Sequence, residues 1–254
     1  MSLVTTEAIV LHAFDYRETS RIVRLLTREM GIVSVIARGA RRPRNAFGAA
    51  LDLFASGEAQ LMTTMGRELH TLKAFEATRA RAGLAESLDR FAAAAALAEL
   101  LLRVAPEQED PQLLDAVTDA FDALARAPKG EEGTIALGGA WSLVAELGFA
   151  PSLDECASCH AAIHAAEPVR FHHRAGGVLC RNCAGQAPGA RVLPPEARDA
   201  LRAWLGRQPS PALDDLTLRA HQRLLREFLE EHVTDSGRPL RALLAWERHE
   251  VSAT

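Results

Sequence analysis

Aromatic residues are scarce in this chain, lysine is nearly absent and long apolar runs are missing. Aromatics make up 5% of the 254 residues, tyrosine occurs once, and Lys73 and Lys129 are the only lysines. The first shortage leaves few candidates for stacking on a planar ligand. The second puts nearly all positive charge on arginine, which stays charged at every physiological pH. No apolar run approaches the roughly 20 residues of a membrane helix, which excludes a helical membrane protein. The opening residues, Met1-Ser2-Leu3-Val4-Thr5-Thr6-Glu7, have neither a basic start before an apolar core nor a small-residue cleavage site. They do not read as a signal peptide, and a cytoplasmic chain is expected. Internal repeats and low-complexity tracts are also absent.

A hydrophobic content of 48% with 24% charged residues is ordinary for a globular protein. The length accommodates two ordinary domains or one large domain with an insertion. The net charge of -4 hides a polarity along the chain: residues 1–80 carry 11 basic and 8 acidic side chains (+3), residues 81–150 carry 5 and 12 (-7), and residues 151–254 carry 13 of each. A base-rich front can meet a polyanion, or can simply be a solvated surface.

Residues 1–80 read as short strands. β-Branched and apolar runs at 5–12, 22–27, 31–38, 51–63 and 68–76 are separated by turn chemistry, with a tight turn at Arg28-Glu29-Met30-Gly31. Five strands in so short a stretch indicate a small closed barrel, since closure removes exposed edges. After Arg81 the period changes. Leu84, Leu88, Phe91, Ala95, Ala98 and Leu102 predict one helix stopped by Pro106, and Asp110-Pro111 opens a second with Leu114, Val117, Phe121 and Leu124. A third holds Leu137, Trp141 and Val144 and is weakened by Gly138-Gly139. Pro194-Pro195-Glu196 starts another, and Leu213, Leu216, Ala220, Leu224 and Phe228 set the apolar stripe of a last long helix.

The four cysteines form Cys156-x2-Cys159, twenty intervening residues, then Cys180-x2-Cys183. Each pair can aim two sulfurs at one point, and two pairs complete the tetrahedron that zinc prefers, with Gly176-Gly177 giving the second pair freedom to turn back. One structural zinc ion is expected. A closed four-thiolate shell leaves no open position for activating water. Disulfides suit an oxidising compartment, and a redox pair belongs in a βαβ unit, neither of which the sequence indicates. His160, His164, His172 and His173 lie in the interval as alternative ligands or, on the simpler reading, as surface residues of a polar loop.

Arg38-Gly39-Ala40-Arg41-Arg42-Pro43-Arg44 crowds four guanidinium groups just after the third predicted strand, with Arg17, Arg21, Arg24 and Arg28 nearby. Arginine offers paired donors to phosphate and a flat face to an unpaired base. Arg38, Arg41, Arg42, Arg44, Arg17 and Arg21 are therefore the candidate nucleic-acid contacts, with Phe14, Tyr16 and Phe47 as the nearest stacking platforms; a soluble arginine loop is the alternative.

The ordered set Glu7-Ala8-Ile9-Val10-Leu11, Tyr16-Arg17-Glu18-Thr19-Ser20-Arg21-Ile22-Val23, Leu26-Thr27-Arg28-Glu29-Met30-Gly31 and Ala37-Arg38-Gly39-Ala40-Arg41-Arg42 resembles the RecO family of bacterial recombination mediators. Leu147-Gly148-Phe149-Ala150-Pro151 before the first cysteine pair and Gly176-Gly177-Val178-Leu179 before the second are similar to that family's zinc segment. The resemblance implies an α+β chain: a five-stranded OB-fold barrel over 1–80, then a mainly α-helical domain over 81–254 carrying a four-cysteine zinc finger at about 151–188. It implies a cytoplasmic, nucleoid-associated protein that is not an enzyme. Such a protein binds single- and double-stranded DNA and anneals complementary strands coated with single-strand-binding protein. With RecR it promotes RecA loading, and it recognises the acidic C-terminal tail of single-strand-binding protein. For that tail, Arg219, Arg223 and Arg226 are the candidates, on the face opposite the last helix's core stripe. The chain departs from the family in its near lack of lysine and in Arg44-Asn45-Ala46-Phe47, where a serine often follows the loop. Two other classes compete: a zinc-dependent deaminase, which lacks its His-x-Glu and Pro-Cys-x-x-Cys here, and a zinc-ribbon adaptor or transcription factor with an incidental basic loop.

Overall fold

The computed structural model describes residues 2–252 apart from 43, 45, 46, 48, 49, 106–109, 165, 166, 211 and 234–238, with backbone alone for 249–252. Pro106, Asn45 and Ala46 thus lie outside the described residues. The chain forms two compact units, residues 1–126 and 127–254.

The first unit is built on a closed five-stranded barrel of β1 (Ser2–Tyr16), β2 (Ser20–Thr27), β3 (Gly31–Ala37), β4 (Ser56–Thr63) and β5 (Leu69–Arg79), in the order β1-β2-β3-β5-β4. β1 closes it by pairing with two neighbours, β4 through Ser2 to Ile9 and β2 through Ala8 to Tyr16, with an irregularity between Val10 and His12. β3 and β5 run parallel and complete the circle. Alternation fills the interior with Ala8, Val10, Val23, Leu25, Val33, Val35, Ala59, Leu61, Leu72 and Phe75. The predicted fourth strand reaches too far back. Leu51 and Phe54 sit in turns before Ser56, and both are buried, so their hydrophobicity serves packing and not a strand.

Ile9 and Leu11 lie outside the interior cluster yet are buried, where α1 (Leu88–Val104) and α2 (Pro111–Ala125) meet β1. The ring of Phe54 meets Phe91 of α1 and Phe121 of α2 at 5.5 and 5.1 Å. These two helices therefore belong to the compact unit of the barrel, which runs beyond the strands. Leu84, expected within the first helix, lies instead in a 3-10 turn at Ala82–Leu84, because Ser87 caps α1 by accepting from the Arg90 N–H. Asp122 gathers Arg81 at 2.6 Å and also Arg79, while Arg28 bridges Glu7 and Asp115 at 2.6 and 2.7 Å.

The second unit contains α3 (Glu132–Glu146), β6 (Val169–His172), β7 (Gly177–Leu179), α4 (Arg181–Ala184), β8 (Arg191–Leu193), α5 (Pro195–Leu205), α6 (Asp215–His232) and α7 (Arg241–Ser252). Gly138, read as a weakness of α3, has a packing purpose: a Cβ there would stand 3.1 Å from the Trp204 indole of α5. The stripe of α6 is shifted from the predicted one. Leu216 is 80% exposed and Ala220 is exposed, whereas His221, Gln222, Leu225, Phe228 and Leu229 are buried. Two polar residues thus hold core positions: the Trp204 ring meets His221 edge-on at 4.9 Å, and Gln222 is buried beside it, while Trp141 meets Phe228 at 5.4 Å. The three-stranded sheet β7-β6-β8 and α7 are elements that the sequence reading lacked.

Candidate nucleic-acid interface and metal centre

The outer face of the barrel carries a largely apolar, half-buried row that begins at the exposed Phe14. Phe14 pairs with Ile22, Ile22 with Ile36 and Ile36 with Thr71, crossing four strands on the side away from Val23, Val35 and Leu72. Phe14 is 45% exposed and Leu69 of β5 is 40% exposed. Beside this row lies an open groove of about 920 Å³, lined by the β1–β2 turn, the end of β3 and the start of β5. Arg17, Arg38, Arg42 and Arg67 converge on it, against the single carboxylate of Glu18. The guanidinium of Arg17 caps the Tyr16 ring at 5.2 Å. An arginine-rimmed groove with flat apolar surface can hold phosphates and stack unpaired bases. In the adjoining cleft, Arg24 and Arg67 face Glu29 and Glu68, so the excess of positive charge ends there.

The sequence candidates divide into distinct groups. Arg17, Arg38 and Arg42 line the groove; Arg44 is exposed in the same loop without lining it. Arg41 and Arg21 instead meet the two oxygens of Asp15, each at 3.3 Å. Arg28 is held on the far side by Glu7 and Asp115, whose hydrogen bonds raise its pKa. Phe47 corrects an expectation: it is 7% exposed and belongs to the barrel core, so it offers no stacking face. Arg67 was missed. Its sequence neighbours carry no basic cluster, and only the β3–β5 pairing brings its turn to the arginine loop.

The four cysteine sulfurs lie within 4.8 Å of one another. The Cys159 and Cys180 sulfurs are 3.8 Å apart, close to the edge of about 3.8 Å of a tetrahedron with ~2.3 Å metal–sulfur bonds and far beyond a disulfide. The residues present thus fit a tetrahedral ion. Local backbone bonds aim them: the Cys156 N–H donates to the Ala161 carbonyl at 2.8 Å, the His160 N–H returns to the Cys156 carbonyl at 2.9 Å, and the Ala157 N–H docks this turn on Val178 of β7 at 2.8 Å. Gly177 allows Ser152 to approach, since a Cβ would stand 2.3 Å from the Ser152 carbonyl oxygen. Burial raises the Cys156 pKa, but backbone donors at Cys180, Cys159 and Ser158 outweigh it and bring the thiol down to about 6. Cys183, sharing protons with Cys159 and Cys180, is pushed up to about 12. Four thiols that cannot ionise together are a set that a dication relieves.

His160 and His164 are exposed, as a polar loop predicts, whereas His172 ends β6 and His173 is half-buried, with Nε2 3.0 Å from Glu227 of α6. Arg198, fully buried on α5, secures the first cysteine segment through the carbonyls of Leu153, Ile163 and His164 at 2.9, 3.2 and 2.9 Å. On α6, Arg223 pairs with Glu227 at 2.9 Å, Arg226 is half-buried between Glu230 and Glu247 of α7 at 3.0 and 2.9 Å, and Arg219 is half-buried. The three recur at i, i+4 and i+7 along α6, beside the core stripe of His221, Gln222, Leu225, Phe228 and Leu229, and carboxylates engage both Arg223 and Arg226.

Residues 1–81 match the family model described as Recombination protein O N terminal, and residues 85–242 match Recombination protein O C terminal. Among curated relatives, the DNA repair protein RecO of Rubrobacter xylanophilus is 35% identical over 92% of this chain and 92% of its own. The protein of the same name from Symbiobacterium thermophilum is 37% identical over 81% of each, and that from Anaeromyxobacter sp. (strain K) is 36% identical over 95% of each.

Proposed function

The chain belongs to the RecO family of DNA repair proteins, and we propose that within it the protein acts as a mediator without covalent chemistry. It binds single- and double-stranded DNA, anneals complementary strands coated with single-strand-binding protein and, with RecR, promotes RecA loading in the bacterial cytoplasm at the nucleoid. The observation that carries this reading is the convergence of Arg17, Arg38, Arg42 and Arg67 on one groove near the exposed Phe14. Neutralising the phosphates of two strands lowers their repulsion, so a groove of this kind brings polyanions together. Arg44 adds charge at its margin, while Arg41 and Arg21 contribute through Asp15.

Zinc is the ion that best suits the cysteine cluster, because a closed tetrahedron of four thiolates matches its preferred geometry. Cys156, Cys159, Cys180 and Cys183 would hold one structural ion, which fixes the two cysteine turns to each other and takes no part in DNA chemistry. The acidic tail of single-strand-binding protein would dock at Arg219, Arg223 and Arg226 by displacing the carboxylates of Glu227, Glu230 and Glu247.

The test is a strand-annealing assay with complementary strands precoated by single-strand-binding protein. The natural chain accelerates annealing, and replacing Arg17, Arg38, Arg42 and Arg67 together by Ala abolishes it. An absence of acceleration by the natural chain would favour the adaptor reading.

A further inference from the structure

Three of the groove's four arginines come from two separate segments, and one acidic side chain helps to join those two; Arg67 comes from a third, the β4–β5 turn. Arg17 lies in the β1–β2 turn with a φ of 54°, and Arg38 and Arg42 lie in the loop that follows β3. Arg41, within that loop, does not line the groove. Its backbone N–H donates to the Thr19 carbonyl at 3.0 Å, and its Nη1–H is shared between the carbonyls of Arg17 and Glu18 at 3.2 and 3.3 Å. Its Nε stands 3.3 Å from Asp15, whose other oxygen accepts from Arg21 at the same distance. Every bond of Arg41 thus ties the loop after β3 to the turn that presents Arg17. By Coulomb's law alone, Asp15 beside a phosphate-binding groove opposes binding.

We propose that Asp15 is a positioning residue of the groove, acting through Arg41: it orients the guanidinium that latches the two segments, so that Arg17, Arg38 and Arg42 surround one groove before DNA arrives. This rests on the DNA-binding reading above. Charges held in place before binding lose less freedom on binding, and part of the groove's affinity comes from that order. The side chains of Asp15 and Arg41 are 53% and 38% exposed, which limits the latch to the strength of a surface ion pair and its effect to a factor of about three.

The sign of the effect separates this from simple electrostatics. The full chain, D15N, R41Q and D15N/R41Q are titrated against a fluorescent oligothymidine at several salt concentrations. D15N is expected to weaken binding about three-fold although it removes a negative charge, with the salt slope unchanged. In the R41Q background the same Asp15→Asn change no longer weakens binding and slightly strengthens it. Stronger binding by D15N in the natural background, or an equal weakening in both backgrounds, overturns the latch. Unaltered binding by R38A/R42A would instead overturn the DNA-groove reading, whatever D15N does.

Discussion

Arg198 of α5 donates its Nε–H to the carbonyl of Leu153 at 2.9 Å, three residues before the first metal-site cysteine, with no part of the guanidinium exposed. Burial lowers its pKa, and the carbonyls around it compensate the lost water. The cysteine segment is thereby held from the helical side independently of any ion.

Arg198→Met keeps the volume and leaves those carbonyls unmatched. A loss of about 3 kcal/mol is expected, read as a lower thermal midpoint, together with weaker metal retention in a chelator competition. An unchanged midpoint would mean that the carbonyls find water.

Metal removal should act on stability. Chelation, Cys156→Ser or Cys180→Ser is expected to lower the thermal midpoint by roughly 10 °C, corresponding to about 3 kcal/mol for a chain of this size. Elemental analysis should give one zinc per natural chain and none in the variants. Normal folding with annealing abolished would assign the cluster a direct role in DNA handling.

His221 is buried against Trp204, and its two ring nitrogens have no hydrogen-bond partner among the described residues; burial brings its pKa down to about 4. The unfolded chain binds a proton near the ordinary value of about 6.5, so between these values the unfolded state holds more protons and stability rises with pH. Stability is fully present at neutral pH and declines as pH falls below about 6.5, by up to about 3 kcal/mol near pH 4. The difference between the stability–pH curves of the natural chain and His221→Phe isolates this contribution. Parallel curves would refute it.

Phe14 should contribute by stacking and not by charge. Phe14→Ala is expected to weaken single-strand binding about ten-fold with an unaltered salt slope, whereas Arg42→Ala should reduce the slope by roughly 0.7. Salt titrations of both variants against one oligonucleotide distinguish the two effects.

The cysteine cluster and the barrel were legible because their signals are local: a two-residue spacing, and β-branched runs between turns. The groove was legible in Arg17, Arg38 and Arg42 but not in Arg67, whose part depends on β5 inserting between β3 and β4. Phe47 was misread because an aromatic next to arginines looks the same whether it plugs a barrel or faces a ligand. The stripe of α6 was displaced because His221 and Gln222 occupy core positions that an apolar count passes over. The sheet β7-β6-β8 escaped because strands of three or four residues are too short to show a period.

The strand order also governs how the chain assembles. The meander of β1, β2 and β3 joins near neighbours, but its two closing seams, Ser2 with Thr63 and Ser34 with Leu69, bring together residues far apart in sequence. Seams of that kind form only after a long loop has lost its freedom, an entropic cost that the hairpin seams of the meander largely avoid. A nascent chain that has not yet emitted β5 exposes two raw edges and no groove. Arg67 joins Arg17, Arg38 and Arg42 around the groove only when the barrel shuts.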